Sequence, residues 1–363
     1  MADGNFVVIF TKTNWNEAPR IRHQITDLLR KKGKKVIFFQ KASQSRFRST
    51  ITKVDDGFYL VDYYELLHHQ LKFTSSLVAL NNVLLERTIS TLLKNFEVDF
   101  IINFNYDYSF LKNIFQKEKI ITLINDDFIA QAKNYRKSMA KKLLRDTCKN
   151  SDAVFGVSYS IVKQLTHYNA NTKLFLPWAL EKYVAPSHNL SRNVVLFYGY
   201  INNRLNWKII EEMFEHNIKL RFVGPVNDNC KERMASYKIK YKTFEYAGMS
   251  DIEELYTEDV LVSIIPYIED SAEIQAITIN NKAFNLLSKG LPLIYPDLPN
   301  LIKVNKNIIS KYKSIDDIDS IVEYFSEFFY NIQNDLKVFL EEHYENSRYQ
   351  LLMSEVENDN KLV

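Results

Sequence analysis

Apolar runs of strand length alternate with stretches of helical spacing along almost the whole chain. Residues 6–10, 36–39, 58–61, 100–103, 120–124 and 154–157 are short apolar runs, and residues 21–32, 83–96 and 139–150 between them carry apolar side chains at helical spacing. This alternation predicts an α/β fold with mostly parallel sheets, because parallel strands need a crossover long enough to hold a helix. Residues 186–192 are polar, lack any period and read as a linker. A second alternation follows, with strands at 194–198, 220–223, 260–265 and 293–295 and helices starting at Trp207, Asp251 and Lys282. Two Rossmann-like halves are expected, with ligands beyond the carboxyl ends of the strands.

The most informative stretch runs from Asn280 to Ile294. Its polar start, the apolar spacing at Phe284, Leu286 and Leu287, the closing Gly290 and the apolar run after it read as loop, short helix, turn and buried strand. Free N–H groups at such a helix start favour an anion, and Lys282 in the first turn adds a full charge. An ordinary crossover with a solvated lysine fits the same letters. Glycine is scarce, with 8 in the chain, so its placement carries weight. Gly199, Gly224 and Gly248 each follow an apolar run in the second half, where a missing Cβ lets a ligand approach the backbone; turn geometry is the plainer reason for any one of them.

At 363 residues, with 46% hydrophobic content, the chain can fill two cores. It has no apolar run of membrane-spanning length, and the run at 6–10 starts too early and is too short for a signal peptide, so a cytoplasmic location is expected. Cys148 and Cys230 alone give no disulfide framework. Adjacent His68 and His69 cannot share a helix face, and Asp317 and Asp319 open an amphipathic helix and read as capping residues rather than metal ligands. The net charge of +3 is unevenly spread: residues 28–54 hold no acid but include Arg30, Lys31, Lys32, Lys34, Lys35, Lys41, Arg46, Arg48 and Lys53. With Phe38, Phe39 and Phe47 among them, these form a candidate surface for anionic lipid or a lipid-diphosphate acceptor, or simply a solvated face. Nucleic acid is not expected, since no helix-turn-helix, zinc finger or RNA-binding aromatic signature accompanies the charge.

Several of these segments carry a resemblance. Asn281-Lys282, Asn285, Gly290 to Ile294 and Asp297, with Ile265-Pro266-Tyr267 upstream, resemble the donor-binding stretch of GT-B fold glycosyltransferases. Phe197-Tyr198-Gly199, Arg221 to Pro225 and Tyr246-Ala247-Gly248 are similar to donor-domain loops of the same enzymes. Trp15, Pro19, Arg22, Gln24, Leu28, Gly33 and Val36, the loop Asn125-Asp126-Asp127-Phe128 and the tail Tyr344 to Arg348 look like the opening, the acidic exit loop and the closing helix of bacterial capsule, teichuronic acid and xanthan-type members. Many retaining members carry glutamates where this chain has Ile277 and Asn285; the amide at 285 is closer to the inverting glucuronosyltransferase of xanthan synthesis and tilts the reading toward inversion.

The resemblance implies a GT-B architecture: two Rossmann-like domains facing across a cleft, with a C-terminal helix crossing back to the first. The acceptor domain would be 1–180 with 344–363 packing back, and the nucleotide-sugar domain 181–343. The implied reaction moves a sugar from a nucleotide-diphosphate donor, UDP-linked by resemblance, to a glycan or polyprenyl-diphosphate-linked acceptor in surface polysaccharide synthesis, on the inner face of the plasma membrane and without a metal. Donor contacts would come from Gly199, Arg221, Gly224, Gly248, Tyr267, Asn280, Asn281, Lys282 and Asn285. Asp127, or its neighbour Asp126, would take the acceptor proton, although adjacent acids after a strand also serve as helix caps. A sugar-nucleotide epimerase of the same fold and an inactive GT-B binding partner are the competing readings.

Overall fold

The computed structural model describes residues 5–17, 20–44, 48–68, 71–72, 74–188, 191–270 and 272–357. Pro19, Arg46, Phe47 and His69 lie outside the described residues. The chain divides into two compact units, Met1–Leu176 with Arg348–Val363, and Pro177–Ser347.

The first unit runs β1 (Asn5–Phe10), α1 (Ile21–Lys31), β2 (Lys35–Phe39), β3 (Thr50–Asp55), β4 (Phe58–Asp62), α2 (Ser75–Leu93), β5 (Glu97–Asn103), α3 (Leu111–Ile114), β6 (Lys119–Ile124), α4 (Lys137–Lys149), β7 (Ala153–Gly156), α5 (Tyr159–Thr166) and β8 (Thr172–Leu174). Its eight-stranded sheet has the order β3-β4-β2-β1-β5-β6-β7-β8. Every pairing is parallel except β3 with β4, an antiparallel edge hairpin that the strand pattern missed because β3 is largely exposed and has no apolar run. The core strands are buried on both faces, so they read as continuous apolar runs.

The topology also breaks up the basic stretch at 28–54. Lys34 pairs with Asp99 of β5 at 2.9 Å, Lys53 with Asp56 at 3.2 Å, and Arg30 with Asp27 and Asp55. Asp99 and Asp55, distant in sequence, and the flanking Asp27 and Asp56 pair with three of these cations, so the stretch is less one-signed than the letters suggest.

The second unit contains β9 (Val194–Tyr198), α6 (Trp207–Glu215), β10 (Lys219–Val223), α7 (Asp228–Lys240), β11 (Phe244–Tyr246), β12 (Val260–Ile264), α8 (Ala272–Gln275), α9 (Asn281–Ser288), β13 (Leu293–Pro296), β14 (Ile309–Tyr312), α10 (Ile315–Phe328) and α11 (Gln333–Glu341). Its six-stranded sheet, β11-β10-β9-β12-β13-β14, is parallel throughout. Strand order reverses between β9 and β12, which makes that point the topological switch. The helix expected from Asp251 is a run of turns: only Ile252 and Leu255 of that stretch are buried, too little apolar contact to hold so short a helix. Asp317 caps α10 as expected, its carboxylate accepting from Ser314 N at 3.1 Å and Lys313 N at 2.7 Å. The last helix, α12 (Glu345–Glu357), joins the first unit, where Arg348 Nε donates to Leu176 O at 2.8 Å and Glu355 accepts from Asn171 at 2.8 Å.

Candidate functional site

At the carboxyl edge of the second sheet, the loops after β9, β10 and β11 and the first turn of α9 enclose a cavity of about 490 Å³. Gly199 and Gly224 form its floor. Their N–H groups donate to Val223 O and Gly248 O, both at 2.8 Å, which ties the three loops together. Gly224 has φ +137° and a Cβ there would stand 2.1 Å from Gly199 O; a Cβ on Gly199 would stand 2.5 Å from Lys282 Nζ. Gly199 therefore clears the space that Lys282 enters, and Gly224 lets the Gly199 backbone pass close to its own.

Lys282 lines this cavity with its Nζ 5.9 Å from the Tyr198 ring centroid. Desolvation lowers its pKa, and no carboxylate pairs with it among the described residues. Asn280 caps the helix by accepting from Ala283 N at 2.9 Å, and Lys282 sits within the first turn after that cap. A half-buried cation at a helix start, with no ion-pair partner among the described residues, is an arrangement that a bound anion would complete. Asp251 and Glu254 line the cavity as well and supply acceptors for hydroxyl groups.

The other expected donor residues divide. Asn281 stands beside Lys282 with a buried Oδ1 that has no partner among the described residues. Gly248 supports the Gly224 loop. Asn285 is turned to the backbone, its Oδ1 accepting from Leu180 N at 3.3 Å. Tyr267 packs on the unit's core and forms an isolated bridge with Leu205. Arg221 does not reach the cavity: it is 7% exposed, its Nε donates to Glu245 at 2.8 Å, and its two terminal nitrogens donate to Asp259 at 2.8 and 2.7 Å. Asp259 precedes β12, at the opposite end of the strands from the cavity, so Arg221 ties the sheet together instead of reading a ligand.

In the first unit, Asp127 Oδ1 accepts from Ile129 N at 3.1 Å and Ala130 N at 2.9 Å, which is capping geometry. Asp126 accepts from the Asn125 amide at 2.7 Å, and Asn125 in turn accepts from Arg22 at 3.3 Å. Beside β1 and β5 the sequence reading missed a buried ionic network. Asp107 accepts from Lys12 at 2.6 Å and from Lys72 at 2.7 Å, and Lys72 also pairs with Glu65 at 2.5 Å. Burial raises the Asp107 carboxyl, but the two lysines outweigh it and hold it far below the usual carboxylate range. Lys72 is fully buried, yet its two carboxylates keep its pKa above the lysine value. Nothing in the local letters around Lys72 marks it as a core residue.

No protein-family model and no curated protein sequence matches the chain. Solved structures do. A sucrose-phosphate synthase from Thermosynechococcus elongatus superposes with TM-score 0.67 at 10% identity, covering 96% of this chain and 98% of its own. The trehalose-6-phosphate synthase OtsA gives 0.65 at 9% identity, with 98% and 99% coverage. WaaG, a glycosyltransferase involved in lipopolysaccharide biosynthesis, gives 0.61 at 11% identity, with 97% and 100% coverage. The likeness runs over the whole chain, and the fold is that of the GT-B glycosyltransferases.

Proposed function

We propose that the chain is a glycosyltransferase whose second unit binds a nucleoside diphosphate sugar at Lys282 and whose first unit presents the acceptor. The uncompensated, desolvated Lys282 in a glycine-floored cavity at the sheet's switch point carries this reading. A UDP-linked donor is favoured because a structurally similar E. coli protein was solved bound with UDP-2-fluoro glucose. In the transfer, an acceptor hydroxyl attacks the anomeric carbon, a carboxylate takes its proton and the bond to the diphosphate breaks. Lys282 and the start of α9 then receive the departing charge. Asp127, the first candidate for the base, is engaged in capping, and Asp126 beside it, which accepts from Asn125, is the alternative. The amide at Asn285, in place of a carboxylate, supports inversion, and a glycan or polyprenyl-diphosphate-linked acceptor of surface polysaccharide synthesis remains the favoured class.

Two steps test the reading. A thermal-shift screen of nucleotides and nucleotide sugars should single out a uridine diphosphate compound. Incubation of that sugar donor should then give slow hydrolysis alone and faster consumption with a suitable acceptor. Isomerisation of the sugar without acceptor would establish an epimerase, and no shift with any nucleotide would leave an inactive relative.

A further inference from the structure

Arg22, in the first turn of α1, is 7% exposed and carries its charge into the carboxyl edge of the first sheet. Its guanidinium meets three strand exits there. One terminal nitrogen donates to Thr13 Oγ1 after β1, the other donates to Asn125 Oδ1 after β6 at 3.3 Å, and the group lies 5.9 Å from the ring centroid of Phe104 after β5. Thr13 is itself fixed, since its N donates to Thr11 Oγ1 at 3.2 Å and Thr11 Oγ1 donates to Phe39 O at 3.1 Å. No carboxylate forms an ion pair with Arg22 among the described residues, and burial lowers its pKa. An amide could serve the same two oxygens without the cost of burying a charge, so a purely structural tie does not explain the arginine.

The charge is passed on through Asn125. An arginine can only donate, so the amide must turn its oxygen to Arg22 and its NH2 away from it, where it donates to Asp126 Oδ2 at 2.7 Å. Arg22, Asn125 and Asp126 thus form a line of donors ending on a carboxylate, in a loop whose other acid, Asp127, is committed to Ile129 N and Ala130 N. Asp126 also acts on Arg22 electrostatically, as do Arg20 and Glu17. The intervening amide matters. A carboxylate clamped directly by a guanidinium is a weak base, because the pair favours its ionised form, whereas one amide between them keeps the orientation and dilutes the field.

We propose that Arg22 is a positioning residue for proton removal: through Asn125 it fixes the Asp126 carboxylate that takes the proton of the attacking hydroxyl. As the acceptor oxygen bonds to the anomeric carbon, its proton passes to Asp126, and the electron pair of the broken bond leaves with the diphosphate. The inference rests on the transferase reading and assigns Asp126, rather than Asp127, as its base.

The test follows release of uridine diphosphate by the full chain from the uridine diphosphate sugar that the thermal-shift screen selects, with water as the acceptor. Arg22→Gln and Asn125→Ala should each lower kcat roughly 10-fold to 100-fold, the scale of cost for misplacing a reacting group by about 1 Å, while affinity for uridine diphosphate stays within about twofold. Arg22→Lys, which keeps the charge, should recover part of the loss. In an Asp126→Asn background neither change should cost anything further, a coupling that a merely structural tie would not show. Melting temperatures monitor the fold, and Asn125→Ala, at a half-buried position, decides the matter where Arg22→Gln does not fold. Wild-type kcat in folded Arg22→Gln or Asn125→Ala, or the full loss repeated in the Asp126→Asn background, overturns this proposal alone. A wild type that releases no uridine diphosphate overturns the transferase reading and the proposal together.

Discussion

The carboxyl edges of the two sheets use charge in opposite ways. In the first unit, Lys12, Lys72, Asp107 and Glu65 satisfy one another in a closed network, and Asp127 is bound to backbone N–H groups. In the second, Lys282 is partly desolvated with no ion-pair partner among the described residues, and the missing Cβ of Gly199 leaves room for its Nζ. Arg221 of the same unit completes the contrast, being fully engaged by Glu245 and Asp259. A buried charge whose partners are all present holds the fold together, whereas a buried charge without one marks a place for something the chain does not itself supply.

This comparison can be broken at its strongest point first. Asp107→Ala would remove the buried carboxylate that joins half-buried Lys12 to fully buried Lys72, leaving Lys72 with Glu65 alone, and we expect it to cost about 3 kcal/mol in thermal unfolding of the full chain. Because the Asp107 carboxyl is held low in the folded state, the stability it contributes is present above the unfolded value of 3.8 and fades as pH falls below it. The acid sensitivity should therefore be weaker in Asp107→Asn. A loss under about 1 kcal/mol for Asp107→Ala would mean that the network is solvated and of little structural weight.

Arg221→Ala should cost roughly 1 to 3 kcal/mol, the range for lost charge-assisted hydrogen bonds, while nucleotide affinity stays within about twofold. A large affinity loss in a stable protein would return Arg221 to the binding site. The smallest structural effect is expected at Asp127→Asn: about 1 kcal/mol or less from the weakened cap, with near-normal turnover. Asp126→Asn, by contrast, should lower turnover by roughly 100-fold to 10,000-fold if it is the base. If Asp127→Asn instead shows the large loss, the cap and the base are one residue.

Much of the fold was legible because parallel strands buried on both faces write themselves as apolar runs, and β1, β2, β5, β6, β9, β10 and β12 all do so. The helix that carries Lys282 was legible for a related reason: it is short, capped by Asn280 and closed by Gly290, all in local sequence. Arg221 was misread because its partners stand 24 and 38 residues away, so neighbouring letters could not show that its donors were spent. Lys72 was missed likewise, since Asp107 lies 35 residues beyond it. The basic stretch at 28–54 looked unopposed only until strand order brought Asp99 beside Lys34. Contacts closed within one helix and its cap are visible in sequence; contacts that depend on strand order are not.

Lys282 gives the most direct test of the central claim. Calorimetric titration of uridine diphosphate into the wild-type chain, Lys282→Ala and Arg221→Ala should show binding in all three. Affinity should be lower by about 1.5 to 3 kcal/mol in Lys282→Ala alone, the range for a hydrogen bond to a charged group. Affinity of the wild type should also weaken as pH rises toward 10.5, since burial has lowered the lysine below that value and the diphosphate needs it charged. Equal affinity in the wild type and a folded Lys282→Ala, or no binding of any nucleoside diphosphate by the wild type, would contradict the account.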